Sequence, residues 1–278
     1  MIYTAGIDVG STYAKALILG PDDEIVGRAM EPTGFMLAEV AERVYQKALA
    51  EAGLSVDQVA YLIATGYGRH QVRISDLQVT DLTAAARGTT FLFPRTRTIL
   101  DVGGQTMKAT RLSDGAKVKS FRLNDKCAAG TGAFLEKTAH YMGYSTEEIG
   151  PLVSTSKETM PISGVCAVFA ESEVINHLSQ GVAPADVMHG AIVSLVDRAL
   201  QLMKRVGMEP EFTLIGGILR FEKMIDVVRN QLEADVNVPD GDLAQFTSAL
   251  GAAVLGRIQL RKLSEERPDQ PNESSPHV

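Results

Sequence analysis

"AGIDVGSTYAKALIL" at residues 5–19 and "TILDVGGQTMKATRL" at residues 98–112 are two copies of one pattern. Aligned on Asp8 and Asp101, each reads D-V-G, four variable residues, then K-A. Each opens on apolar residues that read as a buried strand and continues into a hairpin. The first copy predicts Lys15–Leu19 pairing with Glu24–Met30 across "GPDD". The second predicts Thr106–Leu112 pairing with Lys117–Arg122 across "SDGA", and both links are turn chemistry. A repeated hairpin implies a repeated unit, so the expected fold class is α/β with two lobes, each opened by the same phosphate-type hairpin.

Working outward, an amphipathic helix is expected over about 37–53, ending at Gly53, and a strand over 59–66, "VAYLIATG". Further helices are expected near 130–143, 167–180, 184–206, 221–234 and 245–262, with a strand at Phe212–Ile215 that runs into Gly216-Gly217. The first lobe is expected to take residues 1–93 plus 246–263, and the second 94–245 with both cysteines. Residues 264–278, rich in Pro, Ser and Glu without apolar periodicity, read as a disordered tail.

The chain has 278 residues, 45% hydrophobic and 22% charged, with ample apolar material for a core. A net charge of −7 argues against nucleic acid or an anionic membrane as partner, since both reward a basic face. No run approaches the ~18 apolar residues of a membrane span, and no basic segment precedes an apolar stretch at the start, so a cytoplasmic location is expected. Two cysteines in a reducing compartment are no disulfide scaffold.

Two Asp-Gly hairpins facing each other suit a nucleoside triphosphate. Gly10, Gly103 and Gly104 let the backbone approach phosphate oxygens and aim N–H groups at them. Ser11 and Thr12 add hydroxyl donors, and Lys15 supplies a point charge. Asp8 and Asp101 are the candidate Mg²⁺ ligands, acting through retained waters. Gln105 is a candidate for orienting the attacking water, although an exposed turn residue is the slightly better reading. One D-V-G alone would read as a tight turn; the duplication with a matched lysine argues for function. On these residues the sequence resembles the superfamily of sugar kinases, actin and heat-shock chaperones, in which ATP is clamped between duplicated lobes. That resemblance places Gly216 and Gly217 against the adenosine.

The two cysteines share a setting. Cys127 in "NDKCAAGTG" and Cys166 in "SGVCAVFAESEV" each sit in a small-residue turn ahead of an expected helix. A thiolate there gains from the helix dipole and free N–H groups. Both could be small buried hydrophobes. Alternatively, two copies of the chain on a two-fold axis would assemble four thiolates, which suits an iron–sulfur cluster or zinc.

"NDKCAAGTGAFLE", "SGVCAVFAESEVI", "ATGYGRHQV" and "GIDVGSTYAKALI" resemble the ATPase family of 2-hydroxyacyl-CoA dehydratase activators and benzoyl-CoA reductase ATPase subunits, over roughly residues 1–262. The resemblance implies ATP with Mg²⁺ and a [4Fe–4S] cluster held by Cys127 and Cys166 across a dimer with a second copy or a paralogue. It also implies a reduced ferredoxin or flavodoxin as electron donor and an acyl-CoA reductase or dehydratase component as recipient. It adds Gly130, Thr131 and Gly132 to the nucleotide site. Ala133 stands where the family usually has arginine, Thr106 where an acidic residue commonly follows "GGQ", and "GGILR" replaces "GGVA". These departures fit a subunit of an ATP-dependent benzoyl-CoA reductase, in anaerobic aromatic degradation, better than a homodimeric dehydratase activator. A small-molecule kinase of the same fold would need a carboxylate base beside an acceptor pocket, for which no motif beyond Asp101 stands out. A chaperone or regulatory ATPase would need no cysteine turns. The histidines show no metal spacing, Arg69 reads equally as interface or solvated charge, and of Glu171 and Glu173 at least one reads as helix solubility.

Overall fold

A computed structural model describes residues 2–124, 131–163 and 167–266. Strands β1 (Tyr3–Val9), β2 (Tyr13–Leu19) and β3 (Ile25–Pro32) form a meander, followed by α1 (Leu37–Ala52), β4 (Val59–Thr65), β5 (Leu77–Gln78) and α2 (Asp81–Leu92). The pattern then restarts with β6 (Thr98–Val102), β7 (Met107–Ser113) and β8 (Lys117–Asn124). After these come α3 (Gly132–Tyr141), α4 (Ile149–Ser154), α5 (Ala167–Ser179), α6 (Pro184–Arg205), β9 (Phe212–Ile215), α7 (Glu222–Leu232), β10 (Val236–Asn237) and α8 (Leu243–Glu265).

The two five-stranded sheets have equivalent orders, β3-β2-β1-β4-β5 and β8-β7-β6-β9-β10. In each, the meander is antiparallel, and the remaining strands add in parallel to the far side of its first strand. Both hairpins form where the sequence predicts them. α8 runs to Glu265, two residues into the stretch read as tail.

Strand alternation decides which side chains face the space between the sheets. In β1, Ala5, Ile7 and Val9 pack under α1 with Val40, Val44 and Ala48. The opposite parity carries Thr4, whose hydroxyl donates to Ala253 of α8 at 2.9 Å, then Gly6 and Asp8. In β6, Leu100 and Val102 enter the core with α6, while Ile99 packs with Ala85 and Ala86 of α2. Asp101 shares the parity of Ile99. Both aspartates therefore project on the sheet faces that meet α2 and α8.

α2 was not legible in the sequence. Its stretch "DLTAAARGTTFL" is made of small residues with no large-residue stripe. It forms because Thr80 caps it, accepting from Thr83 N–H at 3.2 Å, and Asp81 suits the positive end of its dipole. It is small because α2 and α8 cross backbone to backbone: a methyl on Gly88 would stand 2.9 Å from Gly251 N, and one on Gly251 would stand 2.6 Å from Gly88 N. The pair lies between the lobes, with Ala84 against Ile63 of the first sheet and Ala85 and Ala86 against the second. The short α4, buried through Ile149 and Val153, also escaped the sequence reading.

Candidate nucleotide site

The D-to-K spacing has a simple geometric meaning. The hairpin registers place Asp8 opposite Lys15 and Asp101 opposite Lys108, so each pair shares one sheet face. Each turn is closed in the same way, Gly10 N–H donating to Tyr13 O at 3.1 Å and Gly103 N–H to Thr106 O at 2.8 Å. The strand parallel to each hairpin also ends alike. Gly66 follows β4 at φ +86° and Gly216 follows β9 at φ +104°. A methyl on Gly66 would overlap Asp8 Oδ1 and stand 2.6 Å from Val9 O. One on Gly216 would stand 2.9 Å from Asp101 Oδ1 and overlap Val102 O. Glycine is required at both places for backbone conformation and for room beside the carboxylate.

The hairpins face one cavity of about 720 Å³. Asp8, Gly10, Ser11, Thr12, Lys15, Asp101, Gly103, Gly104, Gln105, Gly216 and Gly217 all line it. Thr131 and Gly132 do not line it. Gly132 N–H donates to Gly103 O at 3.0 Å and Ala133 N–H to Gly104 O at 2.7 Å, so the first turn of α3 supports the turn of the second hairpin from behind. Gly130, Cys127 and Cys166 lie outside the described residues. Thr33 braces the first turn instead, its N–H donating to Thr12 O at 2.9 Å and its hydroxyl to Gly10 O at 2.8 Å.

Further polar lining residues not singled out for this site include Lys108, Asp81 and Gln245. The matched lysine in the repeat was a usable signal for Lys108; Asp81 and Gln245 sit on α2 and α8 and had none. Arg69 also lines the cavity, with Nη1 donating to Gly66 O at 3.0 Å. Lys15 Nζ lies 3.2 Å from Asp8 Oδ2. Lys108 Nζ lies 2.6 Å from Asp81 Oδ2 and 3.0 Å from Asp101 Oδ2. Burial works against the Lys108 ammonium, but the Asp101 and Asp81 carboxylates outweigh it and hold its pKa above the ordinary lysine value. Burial likewise works to raise Asp81, yet Lys108, the Leu82 N–H and Arg69 together hold it below its ordinary range. Away from the cavity, both α5 glutamates are engaged. Glu171 accepts from Lys137 at 2.6 Å and Tyr141 at 3.2 Å, and Glu173 accepts from Ser163 N–H, so neither is a mere solvated charge.

The donor set fits a magnesium-bound nucleotide. Asp8, only 8% exposed, and Asp101 are hard oxygen donors, the turns present N–H groups, and Thr12 Oγ1 is buried beside Gly104 with no hydrogen-bond partner among the described residues. Among the described residues no helix is long and apolar enough to cross a membrane.

Comparisons with known proteins agree with this geometry. The chain is 40% identical to the activator of lactoyl-CoA dehydratase of Anaerotignum propionicum, over 91% of this chain and 96% of that one. It is 31% identical to one of the subunits of the benzoyl-CoA reductase of Thauera aromatica, over 95% of this chain and 96% of the relative. The solved activator of the 2-hydroxyisocaproyl-CoA dehydratase from Clostridium difficile, with bound ADPNP, superposes with a TM-score of 0.89 at 35% identity, covering 96% of this chain and 98% of that one. The fold is thus that of the actin-like ATPases. The profile of one family matches residues 5–256, almost the whole described fold, and the chain belongs to that family, the BadF/BadG/BcrA/BcrD ATPases.

Proposed function

We propose that the chain hydrolyses ATP to drive a low-potential electron into a 2-hydroxyacyl-CoA dehydratase. The observation that carries the ATPase part is the pair of Asp–Lys hairpins facing one cavity. In this role the Gly10 and Gly103–Gly104 turns and the Thr12 hydroxyl hold the phosphates, Lys15 neutralises them, and Asp8 and Asp101 hold Mg²⁺. Gln105, exposed at the turn, orients water, and Gly216 and Gly217 lie against the adenosine. Among the described residues, every carboxylate lining the cavity is ion-paired to a lysine, which argues against a kinase acceptor site. The higher identity to a dehydratase activator than to the reductase component supports the dehydratase as recipient, in place of the benzoyl-CoA reductase expected from Ala133 and Thr106.

A [4Fe–4S] cluster, when bound, would supply the one-electron chemistry. Cys127 and Cys166 of two copies of the chain are the side chains for it, and reduced ferredoxin or flavodoxin the donor class. The test is an anaerobic preparation assayed for iron, ATP turnover, and electron delivery to purified dehydratase or reductase components. About two irons per chain, lost in Cys127→Ser and Cys166→Ser, with ATP-dependent activation of the dehydratase, is the expected result. An iron-free chain with full ATP turnover would overturn the electron-transfer role. Activation of the reductase alone would reassign the recipient.

A further inference from the structure

The two hairpins are alike in sequence but not in charge. The first holds one carboxylate and one ammonium, Asp8 with Lys15 at 3.2 Å. The second holds two carboxylates on one ammonium, and the extra carboxylate comes from outside the repeat. Asp81 is the first residue of α2, the helix between the sheets, and it lies nearer Lys108, at 2.6 Å, than Asp101 does, at 3.0 Å. Lys108 is only 13% exposed, so these two anions dominate its surroundings. Across the same cavity Arg69 is anchored on Gly66 O and also favours an anionic Asp81.

We infer that Asp81 is a positioning residue for the divalent cation: it draws the Lys108 ammonium off Asp101, so that Asp101 keeps its charge for Mg²⁺. The inference rests on the nucleotide reading of this cavity and adds a residue to it. An ammonium and a divalent cation compete for the same carboxylate oxygens. In the first hairpin the lone lysine is free to leave Asp8 for phosphate. In the second, Asp81 and Asp101 share one lysine and retain a net charge of about −1, which suits a cation and disfavours a bare phosphate. The charge of the cleft is thus divided: phosphate on the side of the first hairpin, metal on the side of the second.

The division has a signature that simple structural damage lacks. In Asp81→Asn, Lys108 falls wholly to Asp101. Calorimetric titration should then show magnesium-free ADP binding as tightly as in the wild type or severalfold tighter, because a negative charge has left the cleft. The magnesium concentration giving half-maximal enhancement of ADP binding should rise about tenfold. Asp81→Glu should recover most of that loss. Lys108→Gln, which leaves both carboxylates unpaired, should move the half-saturating magnesium concentration the other way, and it serves alone where Asp81→Asn does not fold. Parallel weakening of magnesium-free and magnesium-bound ADP in Asp81→Asn, or a magnesium requirement within twofold of wild type in both variants, overturns the inference. Wild-type protein that binds no ADP at all instead overturns the nucleotide reading beneath it.

Discussion

The turns of the first and second hairpins share an Asp-Val-Gly start and a lysine in the same register, yet they are supported by different things. Thr33, at the end of the meander, braces the first, so its neighbourhood is closed within one lobe. The second is braced by Gly132 and Ala133 at the start of α3, immediately after the segment holding Cys127, and its lysine is shared with α2. One turn is therefore held entirely within its own lobe. The other is wired to two helices outside the repeat. A duplication supplies two equal halves, and function is added where one half acquires neighbours that the other lacks.

The largest expected effect tests whether both halves do chemistry. Asp101→Ala and Asp8→Ala should each lower ATP turnover by about 10²–10³-fold, roughly 3–4 kcal/mol of lost transition-state stabilisation. Asp101→Ala should raise the magnesium requirement more than Asp8→Ala does. Equal magnesium dependence would erase the proposed division of labour.

Next in size are the two glycines that end β4 and β9. Gly66→Ala and Gly216→Ala each force a methyl against a carboxylate and a carbonyl at positive φ, and should cost about 2–4 kcal/mol of stability. Gly53→Ala, at φ +67° with open space around it, should cost only about 1 kcal/mol. Denaturant midpoints read all three, and a mild Gly216→Ala beside a severe Gly66→Ala would show that the halves are not structurally equivalent.

The lysines sharpen the contrast. Lys108→Met leaves two carboxylates facing each other in a largely buried place and should cost about 1–3 kcal/mol. Lys15→Met breaks one pair and should cost under about 1 kcal/mol while weakening nucleotide binding. Equal stability losses would mean that Asp81 adds nothing to the second hairpin.

The smallest effect is acid dependence. Asp81 is held below its ordinary value of 3.8 in the fold, so its contribution is fully present above that pH and is lost as pH falls through the lower, folded value. Melting temperature should fall more steeply from pH 5 to pH 3 in the wild type than in Asp81→Asn. Parallel slopes would sever Asp81 from the ion pair. His189 gives a control with the same sign by different means. Burial lowers its pKa from 6.5, so it favours the fold above that pH and opposes it below. It lies on α6, beside Ser156 and Thr159.

By itself the sequence determined the duplication, and with it much of the architecture. A D-V-G turn and a lysine seven residues after the aspartate are local facts: strand pairing turns that spacing into an Asp–Lys pair on one sheet face. Nine of the predicted residues lie along the cavity for that reason, and Gly216-Gly217, which also line it, were visible as a glycine pair at a strand end. The tertiary structure decided what no spacing encodes. α2 has no amphipathic signature because its environment is another helix's backbone at Gly88 and Gly251, which selects for smallness rather than a stripe. Asp81, at its start, carries no sequence signal for the site; packing between the lobes brings it within 2.6 Å of Lys108. Gly66 became the counterpart of Gly216 only once both strands were seen to lie parallel to a hairpin, because the equivalence resides in sheet register and not in neighbouring residues.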